Sequence, residues 1–419
     1  MPPKNNPPST FPLARGAWTT VALLWVAGCL NYLDRTMITT MHGSLVKAFD
    51  MTEAQFGLLT TGFLLVYASV SPLGGFLADR FGRRRIILIS IFGWSLTTWL
   101  TAYATNYSTL LLLRGLLGLS EACYLPAAMG LITDYHRGPT RSFATGLQMT
   151  GLVCGSTIGG LGGWLAEHHD WSFAYKVIGA PNVAYSLLLI FLLREGPGKE
   201  ADQPGVAASP SAGSVSFGAA MRSLCLNKSF LLVLCAWCLQ GAVGWVIIGW
   251  MPTQMHEQFK LSQGAAGFSA LGYVYVLQFI GLLIGGLWSD RWSLTYERSR
   301  LMIPVIGLVM AVPAFWMAGH SPQISYTIFS LMMWGFAAGF MGANMMPIIC
   351  LVVPNQYRAS GLGVMNCVTA IFGGLSIYAV GLLRDARVDV TQMLAFASGG
   401  VLLCALFLFV VKPAPAAAR

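Results

Sequence analysis

Four charged residues stand inside two long apolar stretches of the sequence. Arg114 and Glu121 interrupt the apolar run 110–133, and Asp34 and Arg35 interrupt another run near the N-terminus. A charge in the hydrocarbon region of a bilayer costs at least ~2.5–3.5 kcal/mol, and such groups usually face one another or a water-filled cavity. Seven residues make two helical turns, so Arg114 and Glu121 share one helix face, about 10 Å apart. We expect all four side chains to meet in one hydrated polar chamber.

Proton exchange and anion binding are the chemistry open to these groups. Asp34 and Glu121 are carboxylates whose proton affinity burial can raise and a nearby arginine can lower, so they are candidate proton carriers. Arg35 is predicted to bind an anionic group, because a guanidinium makes bidentate contacts with a carboxylate. Arg114 is expected to pair with Glu121 or Asp34. The alternative is two structural ion pairs that only fix the packing of helices.

The elements that hold these charges are predicted to be membrane-spanning helices. The 419-residue chain is 55% hydrophobic and only 10% charged, whereas average soluble domains carry about 25% charged residues. Apolar runs close to the ~20 residues that a spanning helix needs cover 17–43, 54–77, 86–104, 110–133, 142–166, 173–194, 228–255, 264–288, 300–318, 324–352, 359–383 and 391–411. We therefore predict an all-α integral membrane protein with twelve transmembrane helices.

Basic residues indicate how these helices are oriented. Of the 25 Lys and Arg residues, 18 fall on the side of the predicted bundle that holds both termini, and five fall on the other side. Because short cytoplasmic loops carry an excess of Lys and Arg, both termini are predicted to be cytoplasmic in a multi-pass protein of the cell (inner) membrane. The same placement accounts for the net charge of +9, so no nucleic-acid partner is expected.

One long polar segment divides the chain into two halves. Residues 195–227 are rich in Pro, Gly, Ser and Ala, which is typical of flexible linkers. They are predicted to be a cytoplasmic linker between an N-terminal six-helix bundle, residues 1–194, and a C-terminal six-helix bundle, residues 228–419. Two related six-helix units with a site between them are a plan of secondary transporters.

Glycines recur at every fourth position of the fifth apolar run. They are Gly151, Gly155, Gly159 and Gly163. Such a smooth stripe lets another helix backbone approach closely, and we expect it to support sliding or rocking between the two halves.

A glycine- and arginine-rich loop follows the second apolar run and has a partner in the second half. It reads GFLADRFGRR from Gly75, with the spacing G-x-x-x-D-R-x-G-R-R, and a related GLWSDR begins 211 residues later. An acid beside clustered arginines can hold neighbouring helices together through charge-assisted hydrogen bonds. The candidate gating residues are therefore Asp79, Arg80, Arg83, Asp290 and Arg291. The loop resembles the signature of the major facilitator superfamily, and the resemblance implies that superfamily's fold of two pseudo-symmetric six-helix bundles.

Further motifs resemble the anion:cation symporters of that superfamily. They include NYLDR, which ends at Arg35, the stretch from Arg114 to Glu121, and Asn366 with a following Gly-Gly pair. These symporters are bacterial carriers of sugar acids and aromatic acids, related to sialin and the vesicular glutamate transporters. The resemblance implies proton-coupled symport of a small organic anion by alternating access, with Asp34 and Glu121 as the proton-coupling residues. Sodium is the alternative coupling ion, and no other cofactor is expected.

The predicted substrate site joins Arg35 and Arg114 to neutral polar and aromatic residues. These residues are Tyr67, Gln148, Trp245, Tyr273, Gln278, Asn344, Asn366 and Tyr378. Amide groups can hydrogen-bond a carboxylate substrate and aromatic rings can stack on a ring-bearing one. Apart from this small molecule and the lipid bilayer no partner is expected, and the chain is predicted to act as a monomer.

Other function classes are weaker on the sequence. The spinster-like transporters of lysolipids and sphingolipids share a similar Asp-Arg and Arg…Glu pattern, and they are the alternative within transport. A transporter-like sensor that binds its ligand without moving it is a second alternative. An enzyme is not expected, because no phosphate-binding Walker loop, HExxH or GxSxG motif occurs. The loop Glu167–Asp170 is predicted to be solvated, and no metal site is expected.

Overall fold

The computed structural model describes residues 16–136, 140–196, 217–296, 298–320, 323–354, 357–388 and 390–413, and these form sixteen α-helices. The first half contains α1 (Ala17–Thr40), α2 (His42–Phe49), α3 (Glu53–Phe81), α4 (Arg83–Thr101), α5 (Tyr107–Glu121), α6 (Tyr124–Tyr135), α7 (Arg141–Ile158), α8 (Gly160–His168) and α9 (Trp171–Leu192). The remainder contains α10 (Phe217–Leu226), α11 (Lys228–Phe259), α12 (Gln263–Ser293), α13 (Ser299–His320), α14 (Ile324–Val352), α15 (Arg358–Asp385) and α16 (Val390–Val410). Most of the predicted linker, residues 197–216, lies outside the described residues.

Eight helical stretches in the described residues are long and apolar enough to cross a membrane. They are Glu53–Ala78, Tyr107–Tyr135, Trp171–Leu192, Lys228–Phe259, Gln263–Ser293, Ser299–His320, Ile324–Val352 and Ser360–Asp385. α1, which carries Asp34, Arg35 and several threonines, is not among the eight. The all-α, multi-pass character is therefore confirmed, and the count of twelve spans stays a prediction.

The predicted run 110–133 is built as two helices rather than one. α5 ends at Glu121 and α6 begins at Tyr124. Pro126 explains the break, because a proline has no N–H to offer to the carbonyl four residues earlier and its ring clashes with that carbonyl. The carbonyl in question belongs to Ala122, and Gly74 of α3 lies against it with no room for a side chain. The break places the Glu121 carboxylate at the end of a helix in the interior of the first half.

Two apolar clusters form the core of the protein. One is built mainly from buried residues between Ala17 and Leu193, and the other from buried residues between Leu224 and Val411. Trp250 and Ile377 of the second half belong to the first cluster, and the Trp250 indole donates to the Ile377 carbonyl at 3.0 Å. The halves meet where α3 packs on α15 and where α7 and α8 pack on α12.

The glycine stripe lies mainly against α1, and this corrects the expectation that it works between the halves. A Cβ atom at Gly151, Gly155 or Gly159 would collide with Trp25, Cys29 or Thr36, all on α1. Only Gly163, at the far end, meets both α1 and the Gln263 backbone of the second half. The stripe therefore allows close packing within the first half.

The last part of the predicted linker is helical. α10 packs on α11, and its Leu224 is buried in the second apolar cluster. The Asn227 side chain then caps α11 by accepting from the Phe230 N–H at 3.1 Å, as asparagine does at helix N-termini. This segment belongs structurally to the second half.

Candidate functional site

Arg35 and Glu121 form an ion pair in the interior of the first half. The Arg35 Nε lies 2.6 Å from Glu121 Oε2, and the two side chains are 6% and 0% exposed. The partner of Glu121 is thus Arg35 of α1, and the expected pairing of Arg114 with Glu121 or Asp34 is not found among the described ion pairs. Arg114 and Glu121 lie two turns apart on one helix, about 10 Å along its axis.

Aromatic rings surround the Arg35 guanidinium. Its central carbon lies 4.4 Å from the ring centre of Tyr67, 4.8 Å from that of Tyr32 and 5.2 Å from that of Phe63. Such cation–π contacts stabilise a cation that has left water. Within the described residues Arg35 makes its hydrogen bond through Nε alone, so its two Nη groups remain available to an anion.

Arg114 is buried beside this pair. Its guanidinium lies 5.0 Å from the Phe63 ring centre, and its Nε reaches the Leu59 carbonyl at 3.5 Å. Its Nη2 has no hydrogen-bond partner in the described part of the chain. Asp34 and Glu121 lie within electrostatic range, and neither carboxylate forms an ion pair with Arg114 in the described part of the chain.

Asp34 lies on a different face of α1 from Arg35. Its carboxylate accepts hydrogen bonds from the Thr98 hydroxyl of α4 at 2.9 Å and from the Asn182 amide of α9 at 3.1 Å. The side chain is 1% exposed. The four predicted charges are thus buried close together in the first half. They form one ion pair, one hydrogen-bonded carboxylate and one arginine that has no ion-pair partner among the described residues.

Three of the predicted polar residues have their described contacts within one half. Gln148 is fully buried, and its amide donates to the Leu24 carbonyl at 2.9 Å and to the Tyr124 hydroxyl at 3.1 Å. Asn344 accepts from Ser289 at 2.5 Å and donates to its own helix. Gln278 of α12 has its backbone against Gly339 of α14. None of these contacts reaches the charged cluster.

The other predicted residues of the second half lie in separate places. Trp245 packs tightly on Gly373 of α15, and the Asn366 side chain is exposed. Tyr378 lies near Gly57 and Tyr107 of the first half. These contacts place Tyr378 at the junction of α3 and α15 rather than at Arg35.

Tyr273 faces away from the charged cluster, and a neighbouring tyrosine takes its place. Tyr273 is 39% exposed and shares its face of α12 with the exposed apolar residues Val276 and Ile280, a pattern typical of contact with lipid. Tyr275, two residues or about 200° further round the helix, is buried and lies within electrostatic range of Tyr32 and Arg35. The second half therefore approaches the cluster through Tyr275.

The predicted gating residues make local contacts where they are described. Arg83 bonds Asp134 of α6 at 2.7 Å and also the Gly130 carbonyl, and both lie in the first half. Arg80 lies over the neighbouring Phe81 ring, and Asp290 and Arg291 are exposed. The Asp79 side chain lies outside the described part of the structure.

Among the described residues, several polar contacts join the halves at the end opposite the termini, which is the outer end in the predicted orientation. Arg384 of α15 binds Glu53 of α3 and Glu257 of α11, each at 2.9 Å. The Asp385 carboxylate accepts from the backbone N–H groups of Glu53 and Ala54, at 2.8 and 3.0 Å. We call Glu53, Glu257, Arg384 and Asp385 the outer latch. It keeps this end of the protein closed.

A small cavity lies beside the outer latch. Its volume is about 10 Å³, and it is lined by Thr39, Thr40, His42, Gly43, Pro252, Thr253, His256 and Gln263. Room for roughly one water molecule is too little for an organic substrate. This cavity therefore offers no passage to a substrate in the present conformation.

Similar proteins agree with the transporter architecture. Residues 24–377 match the family model described as Major Facilitator Superfamily. Protein spinster homolog 1 of Xenopus laevis is 26% identical over 70% of this chain and 58% of its own length. The probable sulfoacetate transporter SauU of Cupriavidus necator is 27% identical over 68% of this chain and 66% of its own.

Solved structures show the same fold. An inward-facing, unoccupied bacterial homologue of the human lysosomal transporter spinster superimposes with a TM-score of 0.75 at 22% identity, over 95% of both chains. A D-xylose–proton symporter gives a TM-score of 0.75 at 15% identity, over 94% of this chain and 98% of its own. The family match covers most of the chain, and the fold agrees with it. This protein is therefore a member of the major facilitator superfamily of transporters.

Proposed function

We propose that the protein is a secondary active transporter that couples the movement of a small organic anion to protons. The observation that carries the proposal is the buried pair of Arg35 and Glu121, whose atoms lie 2.6 Å apart. A buried ion pair is often no more stabilising than apolar packing. Its presence in a transporter therefore favours a role in transport over a purely structural one. The Nη groups of Arg35 suit bidentate contact with a carboxylate or sulfonate.

Proton binding and anion binding favour each other at such a pair. A proton on Glu121 removes the negative charge that holds Arg35, and a buried guanidinium without a partner is strongly destabilising. An incoming anion relieves that cost by taking the place of Glu121. The two ligands are then thermodynamically linked, as proton-coupled symport requires. Asp34 is the second carboxylate of the proposed proton path.

The substrate class follows from the chemistry around Arg35. Tyr32 and Tyr67 add hydroxyl groups and ring faces to one cationic centre, which suits sugar acids, aromatic acids and other small carboxylates. The relative named as a probable sulfoacetate transporter supports a small anion. Within this proposal the protein is an anion:cation symporter of the cell (inner) membrane, acts as a monomer and has both termini in the cytoplasm.

Reconstitution into liposomes tests the proposal. We expect Glu121→Gln to abolish uptake driven by a pH gradient and to leave counterflow exchange intact, because exchange needs no net proton movement. Proton-driven uptake that survives in the Glu121→Gln and Asp34→Asn variants alike would contradict the coupling assignment. Ligand binding without flux in the wild type would instead indicate a sensor.

A carrier of lysolipids or sphingolipids is the second candidate function. It is favoured by the spinster homologues among the relatives. A thermal-shift screen of lysolipids against hexonates, aromatic acids and sulfoacetate separates the two candidates. If lysolipids alone stabilise the protein in this screen, its substrate is a lipid rather than a small organic anion.

A further inference from the structure

Asp34 and Arg35 are neighbours in the sequence but belong to different environments. Successive residues of an α-helix point about 100° apart. Arg35 extends to Glu121 of α5 and to the rings of Phe63 and Tyr67 on α3. Asp34 extends to Thr98 of α4 and Asn182 of α9. The two carboxylates of the proposed proton path therefore occupy separate pockets.

The pocket of Asp34 is built from hydrogen-bond donors on two helices. Oδ2 accepts from the Thr98 hydroxyl at 2.9 Å and from Asn182 Nδ2 at 3.1 Å, and Oδ1 lies 3.3 Å from the same amide nitrogen. All three side chains are at most 2% exposed. The charged and titratable groups around them are Arg114 and Glu121 of α5 and Tyr175 of α9. Arg35, on the same helix as Asp34, forms its ion pair with Glu121.

Asn182 and Thr98 can serve both protonation states of Asp34. An ionised carboxylate only accepts hydrogen bonds, whereas a protonated one also donates. Asn182 now presents its amide nitrogen, and its Oδ1 is buried without a partner within the described residues. Rotation of the amide by a half-turn would present Oδ1 to a protonated Asp34, and a threonine hydroxyl can likewise donate or accept. An apolar residue at either position can hydrogen-bond neither the ionised nor the protonated form of Asp34.

We propose that Thr98 and Asn182 are positioning residues that hold Asp34 and set the pH at which it exchanges its proton, without contact with the substrate. The proposal rests on the proposed function in assigning Asp34 a role in proton coupling. It deepens that function by making the response to pH a property of α4 and α9, two helices that do not contribute to the Arg35–Glu121 pair.

Infrared difference spectroscopy of the purified full chain measures the protonation of Asp34 directly. The carboxylic-acid C=O band that disappears in Asp34→Asn is followed as the pH is varied. Hydrogen bonds to the ionised carboxylate are charge-assisted and stronger than those to the protonated acid, so loss of either partner costs the ionised form more. Thr98→Val and Asn182→Leu should therefore each move the midpoint of this band upward by about one pH unit. Thr98→Ser keeps a hydroxyl and should restore the wild-type midpoint. In liposomes the pH profile of uptake should move in the same direction, with KM unchanged.

Two neighbouring residues provide matched controls. Thr97 adjoins Thr98 but bonds the Gly93 carbonyl of its own helix, and Ser186 lies one turn after Asn182 and bonds its own helix at Val183. Thr97→Val and Ser186→Ala should leave the Asp34 band in place. A midpoint that is unchanged in Thr98→Val and Asn182→Leu, or that moves equally in the controls, overturns the positioning role and leaves the proposed function intact. An Asp34 band that does not titrate in the wild type removes Asp34 from the proton path, and the positioning role fails with it.

Discussion

The Nε of Arg384 lies 2.9 Å from Glu53 Oε2, a contact that joins two residues 331 positions apart in the chain. The other edge of the same guanidinium binds both oxygens of Glu257 at 2.9 Å. Its face lies 5.0 Å from the ring of Trp250. One side chain therefore ties the start of α3 to the ends of α11 and α15.

Loss of Arg384 should favour opening of the outer end. Arg384→Gln removes the cation from the outer latch and leaves Glu53 and Glu257 to repel each other. Since a partly exposed ion pair is worth up to about 1 kcal/mol, we expect the ratio of open to closed protein to rise roughly fivefold. Spin labels at Lys47 and Ala265, in a background without native cysteines, report the distance between the halves.

Arg387 provides the control for this experiment. It has the same charge, lies two positions beyond the end of α15 and is exposed. Arg387→Gln should leave the distance distribution unchanged. An equal response of the two variants would show that net charge, rather than the outer latch, sets the conformation.

Arg35→Lys should weaken substrate binding by about tenfold or more. Lysine keeps the charge but lacks the planar group that contacts a carboxylate through two nitrogens. Binding of the anion identified by the ligand screen, measured by calorimetry, tests this expectation. Arg85→Lys, at an exposed position of α4, is the matched change. Equal affinity in the Arg35 variant and the wild type would remove Arg35 from the substrate site.

Tyr275→Phe should reduce substrate affinity several-fold, whereas Tyr273→Phe should not. The Tyr275 hydroxyl lies within electrostatic range of Tyr32 and Arg35, so we expect it to hydrogen-bond the anion at Arg35. The loss of one hydrogen bond in a buried site costs about 1 kcal/mol. Tyr273 lies on the exposed apolar face of the same helix. The KM of transport, measured for both variants, shows which tyrosine contributes to the substrate site. A larger effect of Tyr273→Phe would place Tyr273, and not Tyr275, in that site.

The charged core of the site could be predicted because its signal is strong. Only function or a partner justifies the cost of a charge in an apolar run, so Asp34, Arg35, Arg114 and Glu121 stand out without any structure. Which carboxylate meets which arginine could not be predicted. That choice depends on how α1 is rotated against α5, and rotation is set by packing along the whole of both helices.

The neutral part of the site was harder to predict for a physical reason. Tyr273 and Tyr275 are two residues apart in an almost uniformly apolar helix, so no polar face indicates which side meets the first half. Thr98 and Asn182 resemble ordinary small polar residues of buried helices, and only the fold brings them to Asp34. Asn344 looked like a ligand-binding amide, but Ser289 and the Asn344 helix itself use its hydrogen-bonding groups.

Gly155→Ala should destabilise the protein although alanine is the better helix former. A Cβ atom at Gly155 would lie far inside van der Waals contact with the Cys29 carbonyl, and that carbonyl belongs to the backbone of α1 and cannot swing aside. Overpacking of this kind typically costs about 1–3 kcal/mol, more than the roughly 0.5–1 kcal/mol gained by replacing a helical glycine. Gly146 lies on the same helix with nothing within 4 Å of a new Cβ, so Gly146→Ala should be neutral or stabilising. Thermal unfolding of both variants in detergent compares them. If Gly155→Ala unfolds at the same temperature as Gly146→Ala, α1 and α7 are not in backbone contact. Asp34 and Arg35, which α1 carries, would then lie differently relative to their partners.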